Sequence, residues 1–218
     1  MRHIFTQHKI LSYIIAISGS ACILFSYLVY QSNKTLIAIN QSVFEYLIPS
    51  RLADEHLIWS YITHLGGPVG IGILTIAATV YFCYRHSYRL GILYSSSILA
   101  TFGIVMYLKS LFAFERPVYE QAIETSFSYP SGHTAISAVF LILSSYIYTH
   151  QMQVKHKKVY IGIAVCISVS IAASRLFLGE HWLSDIVGGY LLAILCSSIS
   201  ILLFESHIAQ KALQAKES

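Results

Sequence analysis

Charge is scarce in this chain. Only 11% of its 218 residues are Asp, Glu, Lys or Arg, where a soluble domain carries about 25%. That shortage excludes an ordinary water-soluble globule. No basic stripe interleaved with aromatic residues is present, so the formal charge of +4 does not point to nucleic acid. Cysteine is sparse too. Cys22, Cys83, Cys166 and Cys196 all fall inside apolar runs and form no CxxC pair. They read as small buried hydrophobes and say nothing of redox compartment. No internal repeat or low-complexity tract interrupts the chain. The first apolar run is followed by no A-x-A cleavage site, and Cys22 lacks the leucine three residues upstream that a lipoprotein site needs. That run is expected to stay in place as an anchor.

What the chain has instead is long apolar runs, with 56% hydrophobic residues. Uncharged stretches cover 10–30, 65–84, 90–108 and 186–204. Each is about 20 residues, enough to cross roughly 30 Å of hydrocarbon as a helix. Two shorter runs, 134–148 and 159–174, reach the same length if their polar ends, near His133 and Arg175, sit at the interface. The expectation is one integral membrane domain over residues 1–218, all-α, a bundle of six transmembrane helices. Basic residues orient it. With a cytoplasmic N-terminus, Arg2, Lys9, Arg85, Arg89, Lys155, Lys157, Lys158, Lys211 and Lys216 lie inside, and Lys34, Arg51, Lys109, Arg116 and Arg175 outside. This bias follows the positive-inside rule and places both termini in the cytoplasm. Segment 31–64 is then outside. Its Leu36, Ile39, Val43, Phe44 and Leu47 recur at helical spacing, predicting an amphipathic helix at the outer surface that ends near Pro49. "HLGGP" at 64–68 opens span two.

On the outer side three polar clusters converge at the ends of spans three to six: Lys109 with Arg116, Ser131-Gly132-His133, and Ser174-Arg175 with His181 and Asp185. Singly, each has an undramatic reading. Lys109 is a snorkelling anchor, Arg116 a loop residue, Ser131-Gly132 a turn and helix cap, His133 a hydrogen-bonded interface histidine. Arg175 fits less easily, because it interrupts an apolar run. Together they read as a functional site. His181 and Asp185 are four residues apart, one face of a helix, within reach of an imidazole–carboxylate bond. A metal would be repelled by the neighbouring cations, which favour an anion. Guanidinium forks match phosphate oxygens, and the N–H groups opening span four add a positive dipole end. With a phosphoryl group held there, His181, which has the carboxylate partner, is the nucleophile, and His133 is left as the acid for the leaving oxygen.

"KSLFAFERP" is K-x6-R-P, "PSGH" follows, and "SRLFLGEHWLSD" is S-R-x5-H-x3-D. These motifs, in this order over 109–185, resemble those of the type 2 phosphatidic acid phosphatase superfamily. The resemblance implies hydrolysis of lipid phosphate esters through a phosphohistidine, without metal or other cofactor. It implies that Lys109, Arg116, Ser131, Gly132 and Arg175 bind phosphate, that His181 attacks, that Asp185 orients it, and that His133 protonates the leaving group. Glu180 stands in a variable slot beside the nucleophile. The implied partner is a membrane lipid phosphate: undecaprenyl pyrophosphate, favoured because the site faces outward, phosphatidylglycerophosphate or phosphatidic acid, in a cell membrane of bacterial type. Phosphotransfer to a lipid acceptor is the alternative within the family. An anion or lipid transporter is the alternative outside it, but would need no His181–Asp185 pair and would more naturally show repeats or broken helices. Oligomeric state leaves no mark in the sequence.

Overall fold

The computed structural model describes residues 2–47, 53–117, 126–151 and 155–217. Among them there is no strand. The elements are α1 (Arg2–Tyr30), α2 (Lys34–Leu47), α3 (Ala53–Gly66), α4 (Pro68–Tyr84), α5 (Tyr88–Phe112), α6 (Gly132–Tyr146) continued by a π-helical turn (Ile147–Gln151), α7 (Lys157–Phe177) and α8 (Leu183–Glu217). Helices α1, α5, α6 with its π turn, α7 and α8 each contain a stretch long and apolar enough to span a membrane. Residues 57–84 of α3 and α4 meet the same test only when taken together, across a bend of 43°. An all-helical solution is what hydrocarbon demands, since each backbone N–H must find its acceptor within the segment.

The bend differs from the sequence expectation, which had residues up to 64 outside and span two unbroken. Pro68 is at the first turn of α4, and Gly67 before it is extended, with ψ 165°. Proline supplies no N–H and drives the preceding residue out of the α region, so one helix becomes two. Residues 53–66 are therefore a helix of their own, docked on α7: Trp59 stacks on Phe177 with centroids 4.2 Å apart. The predicted amphipathic helix is α2. Leu36, Val43, Phe44 and Leu47 are half-buried as expected, but Ile39 is 43% exposed and faces out, and Asn40 takes the inward position. Pro49 lies outside the described residues.

Helix α6 is the centre of the bundle. Its span is 56% buried, against 6% for α1. Ile136, Val139 and Leu143 pack with Ile71 of α4, Leu93, Tyr94 and Ile98 of α5, and Ala193 and Ile201 of α8. Three of the buried hydroxyls in this apolar setting bond within their own helices: Ser97 Oγ donates to Leu93 O, Thr101 Oγ1 to Ser97 O at 2.8 Å, and Ser197 Oγ to Ala193 O at 2.6 Å. The outer faces carry exposed Ile17, Ile23 and Leu24 on α1, Ile73 and Ile76 on α4, and Val165 and Val169 on α7. So much exposed apolar surface is a lipid-facing exterior.

Candidate active site

The ends of four helices meet at one point. Lys109 is in the last turn of α5, Gly132 and His133 open α6, Arg175 is in the last turn of α7, and Asp185 is in the first turn of α8. Ser131 caps α6, and its N–H donates to Asp185 O at 3.0 Å, stitching α6 to α8. That approach needs Gly189, where a Cβ would lie 2.9 Å from Ser131 O. The Ser131 N–H is thus engaged by protein, and the hydroxyl accepts from Thr134 Oγ1 at 3.1 Å. The remaining first-turn N–H groups of α6 are those a helix cannot satisfy from within.

His181 Nδ1 is 3.1 Å from Asp185 Oδ2, as the spacing predicts, but not for the predicted reason. Helix α8 starts only at Leu183, so His181 is not on it. The turn that follows α7 folds the imidazole onto the carboxylate, and Trp182 N donates to the same Oδ2 at 2.8 Å. This is the reciprocal half of a capping box: Asp185 holds the helix start and the histidine together. Ser128 Oγ donates to the same oxygen and lies 3.4 Å from His181 Nδ1.

His181 is 2% exposed. Burial pushes its pKa well below the usual 6.5, and the positive charges of Arg175, Arg116, Lys109 and His133 push the same way. The ring is neutral. With Asp185 accepting from Nδ1–H, the tautomer that the hydrogen bonds select, the lone pair is on Nε2. That atom lies 3.3 Å from Arg116 Nη1.

The cations are held by the chain itself. Arg116 donates to Ser126 O at 2.6 Å through Nε and to Glu180 O at 2.6 Å through Nη1. Lys109 Nζ donates to Phe127 O and, at 3.2 Å, to Ser128 O. Lys109, Gly132, His133 and His181 line one cavity of about 80 Å³ with Pro68 and Ser126. His133 has room there because Gly67 has no side chain: a Cβ would sit 3.1 Å from His133 Nε2. Arg175, 1% exposed, is likewise held by the chain. Nη1 donates to Thr63 Oγ1 at 2.6 Å and Nη2 pairs with the Glu180 carboxylate. The direction of Glu180, unreadable from sequence, is toward Arg175. Ser128 and Thr63 were not singled out by the sequence. Each lies far from its partner along the chain and in no motif, so no local signal could have found them.

Together these make a buried, cation-rich pocket around a neutral imidazole in a multi-pass membrane protein. The chain belongs to the PAP2 superfamily, whose family model matches residues 90–208, and it is a phosphatase of that family. It is 33% identical over 142 residues to phosphatidylglycerophosphatase B of Bacillus subtilis (strain 168), covering 62% of this chain and 68% of that one. The fold is that of the crystal structure of a transmembrane PAP2-type phosphatidylglycerolphosphate phosphatase from Bacillus subtilis, with TM-score 0.77 at 24% identity over 89% of this chain and 97% of that one. LpxE of Aquifex aeolicus shares the fold at TM-score 0.60 and 22% identity, over 75% and 94% of the two chains.

Proposed function

We propose that this protein removes phosphate from membrane lipids through a phosphohistidine at His181. The carrying observation is the setting of that ring, with Nδ1 on Asp185, Nε2 beside Arg116, and the charge-depressing environment that keeps the lone pair available. Nε2 attacks phosphorus and the bond to the lipid oxygen breaks. That oxygen takes the proton of His133, which lines the same cavity. Water then attacks the phosphohistidine, giving its proton to His133, and the P–N bond breaks to return neutral His181. Lys109, Arg116, Arg175 and the first turn of α6, from Ser131 and Gly132, neutralise the phosphoryl oxygens. For Arg175 this means giving up its pairing with Glu180 in whole or part. Cations of the chain supply the charge that a divalent ion supplies elsewhere.

The similarity to phosphatidylglycerophosphatase B moves phosphatidylglycerophosphate to the front of the substrates expected from sequence, ahead of undecaprenyl pyrophosphate and phosphatidic acid. The basic-residue bias supports an extracytoplasmic site. The test is phosphate release by detergent-solubilised protein from these three lipids, with and without EDTA. Release that survives EDTA, is abolished in His181→Ala and is blocked by orthovanadate, a mimic of the trigonal-bipyramidal transition state, is the expected result. Restoration of a chelated sample by a divalent ion would refute the metal-free mechanism.

A further inference from the structure

Helix α2 lies outside the span of the family match, yet it touches the catalytic turn at its most sensitive point. Its inward stripe is Leu36, Asn40, Val43, Phe44 and Leu47. Four of these are apolar. The fifth, Asn40, makes both of its amide hydrogen bonds to one residue 144 positions away: Nδ2 donates to Ser184 Oγ at 2.9 Å, and Oδ1 accepts from Ser184 N at 3.0 Å. Ser184 immediately precedes Asp185. Its N–H is one of the first-turn donors of α8 that the helix cannot satisfy, so Asn40 supplies from another helix what a local cap would supply. One turn further along α2, Phe44 packs on Trp182 at 5.5 Å. Trp182 gives its backbone N–H to Asp185 Oδ2, and its ring Nε1 donates at 3.1 Å to the carbonyl of Glu115, the neighbour of Arg116. A lone amide in an apolar stripe is costly to bury unless it is paired. Here its partners hold the start of α8.

We propose that Asn40 is a positioning residue for the reaction. Acting through Ser184, it sets the first turn of α8 so that Asp185 stays on His181 Nδ1, which makes α2 part of the catalytic apparatus. This rests on the phosphohistidine reading above. A displacement of about 1 Å in such a constellation costs on the order of a hundredfold in rate, so even partial loosening is measurable.

The experiment compares kcat and KM of full-length solubilised protein on dioctanoyl phosphatidic acid in mixed micelles. Asn40→Ala is expected to lower kcat roughly tenfold or more with KM within about twofold, since the loss falls on the chemical step. Ser184→Ala keeps the backbone bond to Oδ1 and should lose less, about two- to fivefold in kcat. The double variant should be no worse than Asn40→Ala, because both act through one link. Asn40→Asp, whose carboxylate accepts from both Ser184 N–H and Oγ–H, should recover most of the rate. Ser42→Ala, on the exposed side of α2 and bonded to Ala38 O of its own helix, is the control expected to match the parent. A rise in KM at unchanged kcat, additive losses in the double variant, or no recovery in Asn40→Asp would overturn the assignment. If Asn40→Ala does not fold, Ser184→Ala carries the test, and an unchanged kcat there overturns it equally. An active parent, inactive His181→Ala and unaffected Asn40→Ala would reject this inference alone, whereas a parent that releases no phosphate rejects the functional reading itself.

Discussion

His181 and His133 face the same small cavity but differ in surroundings. His181 is enclosed and bonded to a carboxylate, and burial, with the cations around it, pushes its pKa down. His133 is half-buried at the second position of α6, against the bare backbone of Gly67. A nucleophile needs a lone pair at neutral pH, and an acid needs access to the leaving oxygen. The division of labour has a kinetic signature. His133→Ala should slow the release of an alkyl phosphate by a factor on the order of 10² to 10⁴, yet largely spare an aryl phosphate, whose leaving group needs no proton. His181→Ala should abolish both. Steady-state rates on paired alkyl and aryl esters decide it, and equal losses in His133→Ala would remove it from the role of acid.

Among the elements, α8 makes two close approaches beside the site. It presents Asp185 at its start and passes Tyr129 and Ser131 on glycines. A Cβ at Gly188 would meet the Tyr129 ring at 2.4 Å. That ring has no room to retreat: it is 1% exposed, its hydroxyl bonds Ser26 Oγ at 2.8 Å, and Phe112 stands edge-on to it at 5.4 Å. Gly188→Ala should therefore destabilise the protein by about 1–3 kcal/mol and lower activity, because Tyr129 leads directly into the Ser131 cap. Gly162 in α7 has nothing within 4 Å of its missing Cβ. Gly162→Ala should leave activity unchanged and be neutral or up to about 1 kcal/mol stabilising through helix propensity. Thermal unfolding of both variants in one detergent separates the cases. A Gly188→Ala protein as stable as its parent would show that the α8–Tyr129 contact is looser than its geometry.

For the whole molecule, the ends of α5–α8 that form the site lie with the α1–α2 turn, through Ser26 with Tyr129 and Asn40 with Ser184. The turn before α7 is at the far end of α6 and α7. If basic residues set orientation, a cysteine placed at Gln31 in a cysteine-free background should react with a membrane-impermeant maleimide on intact cells. One at Lys155 should react only after permeabilisation. Both side chains are exposed, so labelling reports sidedness and not burial. The opposite pattern would put the phosphate site in the cytoplasm and change which leaflet presents its lipid.

Sequence by itself pointed to the membrane class, most of the spans, the three motifs and a cation-rich site suited to an anion. Those properties are local. Hydropathy acts on one helix at a time because each helix satisfies its own backbone, and Lys, Arg and His announce an anion site by chemical type alone. Tertiary structure decided how the parts are coupled: the break of span two at Gly67-Pro68, the turn that brings His181 to Asp185 without a helix between them, Ser128 on the carboxylate, Glu180 and Thr63 on Arg175, and Asn40 on Ser184. Most of these links join residues tens to more than a hundred positions apart. Such pairs are set by which helix faces pack together, and a serine, threonine or asparagine in an apolar chain looks the same whether it bonds its own helix or reaches across the bundle to hold the catalytic turn.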